Sequence, residues 1–285
     1  MSTGLIPALF TRLVDDAAVF PPGSAPLPEA IIGHREHRAA WYAELVGALL
    51  LPSSALSDVG RLLAPGERIE AGLIGDGGVD ALPASLDAAD PRLEIAQVEV
   101  AVAKRGEDPE PGLRRLLAVL ADRPSLTGYA EIPLTWGLLA ALDAVAEART
   151  AGVAVAAKFR TGGLAAELFP TPVELAAVIC ACRDRKLPFK LTAGLHNAIR
   201  HTDPETGFVH HGFLNVLVGT AAAADGAEVA DVAELLAATD PVPLIEPARA
   251  LRERPRPLWI GFGSCSVVEP LTDLIRLGLV DGGFS

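Results

Sequence analysis

The sequence predicts a single (β/α)8 TIM barrel over residues 1–285, with a long insertion between its seventh and eighth strands. Three observations carry this. Apolar runs of strand length alternate with amphipathic runs along the whole chain. Eight such strand runs occur, which favours a closed barrel over an open sheet. Residues suited to chemistry recur at the carboxyl ends of the later runs, where barrels collect their active sites.

The expected strands are Leu13–Phe20, Leu45–Leu51, Ile69–Ile74, Leu93–Val102, Leu126–Pro133, Val153–Phe159, Pro188–Thr192 and Pro257–Phe262. Pro21-Pro22 crowds the end of the first. Pro28–Tyr42 reads as a helix, and Pro111–Ala121 places Leu113, Leu116, Leu117 and Leu120 at helical spacing. Leu138–Ala151 and Thr171–Arg185 repeat the pattern, the latter opening Thr-Pro-Val-Glu, a helix-start signature. The stretch Gly77–Ala89 is a poor helix, and Leu271–Leu277 follows the last strand. Between His196 and Arg256 lie a polar loop, His196–Gly212, and helical stretches at Phe213–Ala224 and Ala227–Ala238. Such an excursion at the carboxyl end of a barrel shapes or covers a site.

Half of the residues are apolar and the net charge is −12. Without clustered Lys and Arg, nucleic acid is not an expected partner. No run of about eighteen apolar residues exists, so no membrane span is expected. Met1 to Val14 lacks the parts of a signal peptide. The three cysteines form no framework, which fits a reducing, cytoplasmic setting. Homo-oligomerisation is left open.

Of the 24 basic residues only four are lysines, and two of these end apolar runs, Lys158 and Lys190. Arginine replaces lysine wherever a solvated charge suffices. It does not replace a lysine that must lose a proton and attack a carbonyl. Period-two alternation puts Lys158 with Arg160 on one strand face and Lys190 with Thr192 on another. Glu99 and Glu131 sit in runs too apolar for a solvated surface, so each needs a cationic partner. A structural ion-pair ring would also satisfy them. Gly263-Ser264-Cys265-Ser266 ahead of a helix reads either as an anion site or as a helix cap. The loop holding His196, His201, His210 and His211 matches no zinc spacing, so no metal is assigned and a histidine-bearing lid is expected.

These strand ends resemble class I aldolases of the deoxyribose-phosphate aldolase type. Lys158-Phe-Arg-Thr-Gly162, Lys190-Leu-Thr-Ala-Gly194 and Gly263-Ser264 are similar to that family's motifs on strands six, seven and eight. Glu131 resembles its strand-five glutamate, and Glu99 stands where it has an aspartate. Arg160 replaces a small hydroxyl residue, and the insertion after strand seven is foreign to the family. The Leu13–Pro22 segment and the Lys-Phe-Arg-Thr-Gly-Gly run also look like a group of bacterial barrel proteins without an assigned activity.

The resulting expectation is a cofactor-independent carbon–carbon lyase or aldolase acting on a small anionic carbonyl substrate, a keto acid or sugar phosphate. Lys158 would form a Schiff base, and Lys190 would lower its pKa by like-charge repulsion. Glu99 and Glu131 would move protons. Arg160, Thr192, His196, Gly263, Ser264 and Ser266 would bind substrate. Two alternatives stand beside it: electrostatic or metal-assisted stabilisation of an enolate, and a barrel that binds a small anionic metabolite without turnover.

Overall fold

A computed structural model describes residues 5–282. Eight parallel strands close into a barrel, running round it as Val14–Asp16, Trp259–Ser264, Phe189–Thr192, Val155–Arg160, Thr127–Glu131, Leu93–Ala101, Ile69–Ile74 and Val46–Pro52. They are β1 (Val14–Asp16), β2 (Val46–Pro52), β3 (Ile69–Ile74), β4 (Leu93–Ala101), β5 (Thr127–Glu131), β6 (Val155–Arg160), β7 (Phe189–Thr192) and β10 (Trp259–Ser264). Two short strands, β8 (His201–Thr202) and β9 (Val209–His210), pair as an antiparallel ribbon in the loop after β7. The expected (β/α)8 barrel and its insertion are therefore present.

The surrounding helices are α1 (Leu27–Ala39), α2 (Leu56–Leu62), α3 (Leu82–Asp87), α4 (Glu110–Ala121), α5 (Leu138–Thr150) and α6 (Pro172–Asp184). The insertion supplies α7 (Phe213–Ala224), α8 (Val229–Ala237) and α9 (Val242–Leu251), and α10 (Val268–Arg276) follows the last strand. Helix α6 starts as its sequence promised. Thr171 Oγ1 accepts from Glu174 N at 3.2 Å, and Glu174 Oε2 accepts from Thr171 N at 2.7 Å. This reciprocal box is worth about 1 kcal/mol.

Two elements differ from expectation, and a third, the weak helix after β3, is as foreseen. The first strand stops at Asp16, because the Asp16 carboxylate accepts from Ala18 N at 3.2 Å and turns the chain. Helix α3 is short, with Pro83 in its first turn. Helix α9 was not foreseen, because Pro247 sits inside it.

Apolar burial runs through the barrel wall into the helical layer. Helix α7 is buried on nearly all sides, as its unbroken apolar sequence requires. It is tied in place by Asn215, which is fully buried. The Asn215 side chain accepts from Arg200 N at 2.9 Å and donates to Leu235 O and Ala238 O at 2.8 Å each. Its polar atoms are all partnered, which removes the desolvation cost of burying an amide.

Arg256 performs a comparable task at the amino-terminal end of the barrel. Its guanidinium donates to Leu9 O at 2.6 Å, Thr11 O at 2.9 Å, Arg12 O at 3.4 Å, Trp259 O at 3.3 Å and Ile260 O at 2.6 Å. One side chain thus stitches the segment before β1 to the last strand. Among the described residues no helix is long and apolar enough to cross a membrane.

Candidate active site

The barrel interior carries a column of ionised groups. Lys158 and Lys190 are register partners on β6 and β7, and Glu131 on β5 pairs in register with Lys158. All point inward, since Lys158 and Lys190 are 3% and 2% exposed and Glu99 on β4 is 1% exposed. Glu99 bridges the two lysines with different oxygens. Its Oε2 lies 2.8 Å from Lys158 Nζ, and its Oε1 accepts from Lys190 Nζ. Lys158 also contacts Glu131 Oε2 at 2.9 Å, and Glu131 Oε1 accepts from Arg160 Nε at 3.1 Å. Lys190 donates in addition to Asp15 Oδ2. Five of the expected residues, Glu99, Glu131, Lys158, Arg160 and Lys190, therefore form one connected chain.

The column contains three cations, Lys158, Lys190 and Arg160, and three carboxylates, Asp15, Glu99 and Glu131. Charges buried in this way persist only when paired. Burial would raise the Glu99 carboxyl, but attraction from Lys158 and Lys190 prevails and holds it at about 2. Burial likewise opposes Glu131 ionisation, and Lys158 and Arg160 still bring its pKa below the usual carboxylate value.

The lysines behave differently from the expectation that one would depress the other. Burial disfavours the Lys158 ammonium, yet Glu131 and Glu99 outweigh it and raise the pKa. Lys190 is raised by Asp15 and Glu99 against the same burial. The physical reason is the interposed carboxylate: each ammonium meets an anion before it meets the other cation. In the resting site both lysines are protonated.

Asp15, Gln97 and Tyr129 complete the site and were not singled out from sequence. Gln97 Nε2 donates to Asp15 Oδ2 at 2.7 Å and to Glu99 Oε1 at 3.3 Å. Asp15 Oδ1 accepts from Ala48 N at 3.0 Å. The Tyr129 ring lies 4.8 Å from Lys190 Nζ, within cation–π range. A signal existed. Gln97 precedes Glu99 by two and Tyr129 precedes Glu131 by two, so strand alternation puts each pair on one face. Asp15 is an acid inside an apolar run, the pattern that pointed to Glu99.

The column is bordered by two different cavities. At the carboxyl ends of the strands, a cavity of about 130 Å3 is lined by Glu131, Arg160, Arg105, Glu167 and Leu168. At the amino-terminal end, one of about 480 Å3 is lined by Lys190, Asp15, Gln97 and Tyr129. The two lysines were expected to face the same mouth. Instead Lys190, the second residue of its strand, borders the amino-terminal cavity, while Lys158 connects through Glu131 to the carboxyl-terminal one.

The remaining expected residues form a second group at the end of β10. His196 Nδ1 lies 3.0 Å from Glu269 Oε2, 3.5 Å from Ser264 Oγ and 3.9 Å from Cys265 Sγ. The contact with Cys265, then that with Glu269, raises the His196 pKa. Ser264 Oγ donates to Ser266 O at 2.8 Å, and Ser266 Oγ accepts from Glu269 N at 3.2 Å. These hydroxyls thus serve the turn and the first turn of α10, as the helix-cap reading holds. Gly263 pairs in register with Thr192, and an added Cβ there would sit 2.9 Å from Leu50 Cδ1. Among the described residues no side-chain hydrogen bond or ion pair joins this group to the lysine column.

The histidine loop is tied to its surroundings. His210 Nδ1 lies 3.2 Å from Gly194 O, and its ring stacks on His201 at 5.3 Å. His211 is fully buried with Nε2 2.7 Å from Pro170 O, and burial pushes its pKa down to about 4. No protein-family model matches the chain, and no curated protein matches it.

Proposed function

We propose that this barrel is a carbon–carbon lyase of the aldolase type, with Lys158 as its Schiff-base lysine and a small carboxylated carbonyl compound as substrate. The observation that carries the reading is the position of Glu131. It accepts from Lys158 on one oxygen and from Arg160 on the other, at the edge of the carboxyl-terminal cavity. A substrate carboxylate that takes Arg160 for itself leaves Glu131 with one cation fewer. Its basicity then rises, and it takes the proton from Lys158. The freed amine attacks the carbonyl carbon, a C–N bond forms, and water leaves to give the iminium. Electrons from the breaking carbon–carbon bond flow into that iminium, and Glu99 with Glu131 supplies and collects protons.

A cavity of about 130 Å3 is small beside the roughly 300–1,000 Å3 of drug-sized sites, which favours a short keto acid over a sugar phosphate. The test is borohydride reduction in the presence of a panel of keto acids and aldehydes, followed by mass spectrometry. The expected result is a reduced adduct on Lys158 that Lys158→Arg abolishes. Turnover without trapping, together with an active Lys158→Arg, overturns the imine.

One observation favours a second reading. Lys158 is held as an ammonium by two carboxylates. In that reading it stays protonated and donates to a developing enolate oxygen, with Glu131 as the base. The same experiment separates the two, since an ammonium that never loses its proton never traps substrate.

A further inference from the structure

The amino-terminal cavity is more than three times larger than the carboxyl-terminal one, about 480 against about 130 Å3. It falls in the range of small-molecule sites, roughly 300–1,000 Å3. Its lining carries three cations, Arg12, Lys190 and Arg256, and one carboxylate, Asp15. That balance stands out on a chain of net charge −12. Two of the cations have carboxylate partners: Arg12 pairs with Glu70, and Lys190 with Asp15 and Glu99. Arg256 forms no ion pair among the described residues, its hydrogen bonds all going to backbone carbonyls, five of them, with Asp15 near enough only for a longer-range attraction. Burial lowers its pKa to about 10, and the attraction of Asp15 does not make up for it. Tyr129, 5% exposed, is one of the lining residues, and its hydroxyl has no hydrogen-bond partner among the described residues. Leu258, Trp259, Ile260 and Phe262 make an apolar side of the wall, beside the polar Thr11 and Gln97.

We propose that this cavity is a binding site for a small organic monoanion, a carboxylate with an apolar body. The carboxylate supplies the close counter-charge that Arg256 lacks and accepts from the Tyr129 hydroxyl. The apolar body lies along Trp259 and Ile260. Because the five Arg256 N–H groups are already committed to carbonyls, the guanidinium contributes charge, and hydrogen bonding falls to Tyr129. The site lies at the opposite end of the barrel from the cavity proposed to take the lyase substrate and does not depend on Lys158 chemistry. Its occupant lies beside Asp15 and Lys190, so it reaches the ion-pair column from the other side.

The experiment is calorimetric titration of the full chain with benzoate, and with benzyl alcohol and inorganic phosphate as comparisons. Benzoate is expected to bind with an affinity of about 1 mM or better. Benzyl alcohol and phosphate are each expected to bind at least tenfold more weakly. Ile260→Phe, which fills the cavity and leaves every polar group in place, should weaken benzoate at least tenfold. Arg256→Met should do the same, and Ile260→Phe keeps the proposal testable if that variant fails to fold. Arg160→Gln, at the far mouth, should leave benzoate affinity unchanged. No benzoate binding, equal binding of the alcohol, equal or tighter binding of phosphate, or loss in Arg160→Gln with retention in Ile260→Phe each overturns the proposal. None of these results depends on whether borohydride traps a substrate on Lys158.

Discussion

Replacing Glu99 by glutamine removes one negative charge from a column of three cations and three carboxylates that has none to spare. Each Glu99 oxygen faces a different lysine, so the amide must turn its NH2 toward an ammonium on one side. The magnitude follows from two independent routes. A carboxyl displaced from 4.5 to about 2 stabilises the fold by about 3 kcal/mol, at 1.36 kcal/mol per pKa unit. Removing one partner of a buried ion pair costs about 3–5 kcal/mol. Glu99→Gln should therefore lose about 3 kcal/mol at pH 7 in denaturant unfolding. Because the folded pKa lies below the unfolded one, the wild-type advantage is complete above pH 4.5. It shrinks as pH falls through about 2, where Glu99 itself is protonated. A loss below about 0.5 kcal/mol, the level of ordinary surface substitutions, would refute the buried-bridge account. So would a difference that grows on acidification.

Other outcomes are expected from the same structure. Lys158→Arg should abolish reductive trapping and Lys190→Arg should retain part of it, since only the first removes the proposed nucleophile; mass spectrometry reads both. Asp15→Asn leaves Lys190 with Glu99 as its only carboxylate, and combined with Glu99→Gln it should be strongly non-additive in unfolding free energy. Gly112→Ala should destabilise by about 1–3 kcal/mol in thermal or denaturant unfolding, in spite of alanine's better helix propensity. Its Cβ would lie 1.8 Å from Val102 O, a backbone atom. His211 is buried neutral with a pKa near 4, so the unfolded chain binds its proton first as pH drops. Wild-type stability should fall by up to about 3 kcal/mol between pH 6.5 and 4, and His211→Gln should flatten that fall in urea midpoints measured across the range.

The barrel was legible because its signal is repetition: eight apolar runs separated by helical spacing leave few other closed architectures. Lys158, Glu99, Glu131 and Arg160 were legible because a charge within an apolar strand must find a partner inside the barrel. Asp15 escaped because it shares its run with Asp16, and only the structure separates the inward acid from the one paired with His34 at 3.0 Å. Gln97 and Tyr129 are uncharged, so their burial raised no alarm. That Lys190 borders the amino-terminal cavity was not readable at all. Alternation says that a side chain enters the barrel, and nothing about which end of the axis it faces. The His196–Glu269 contact joins residues 73 apart across the insertion, a pairing that no local pattern encodes.

The Arg256 stitch bears on how the chain comes to be folded. The carbonyls it gathers at Leu9 and Thr11 are 247 and 245 residues away in sequence. The seam between β1 and β10 therefore closes only after nearly the whole chain has left the ribosome. Until then the growing sheet presents two unpaired strand edges, with β1 and β7 each waiting for the last strand. Contacts of such sequence separation form slowly, and open parallel edges invite pairing with other chains in the interval. A guanidinium that captures five carbonyls at once locks the first and last segments together when they finally meet, shortening the period in which the nascent barrel is vulnerable to aggregation.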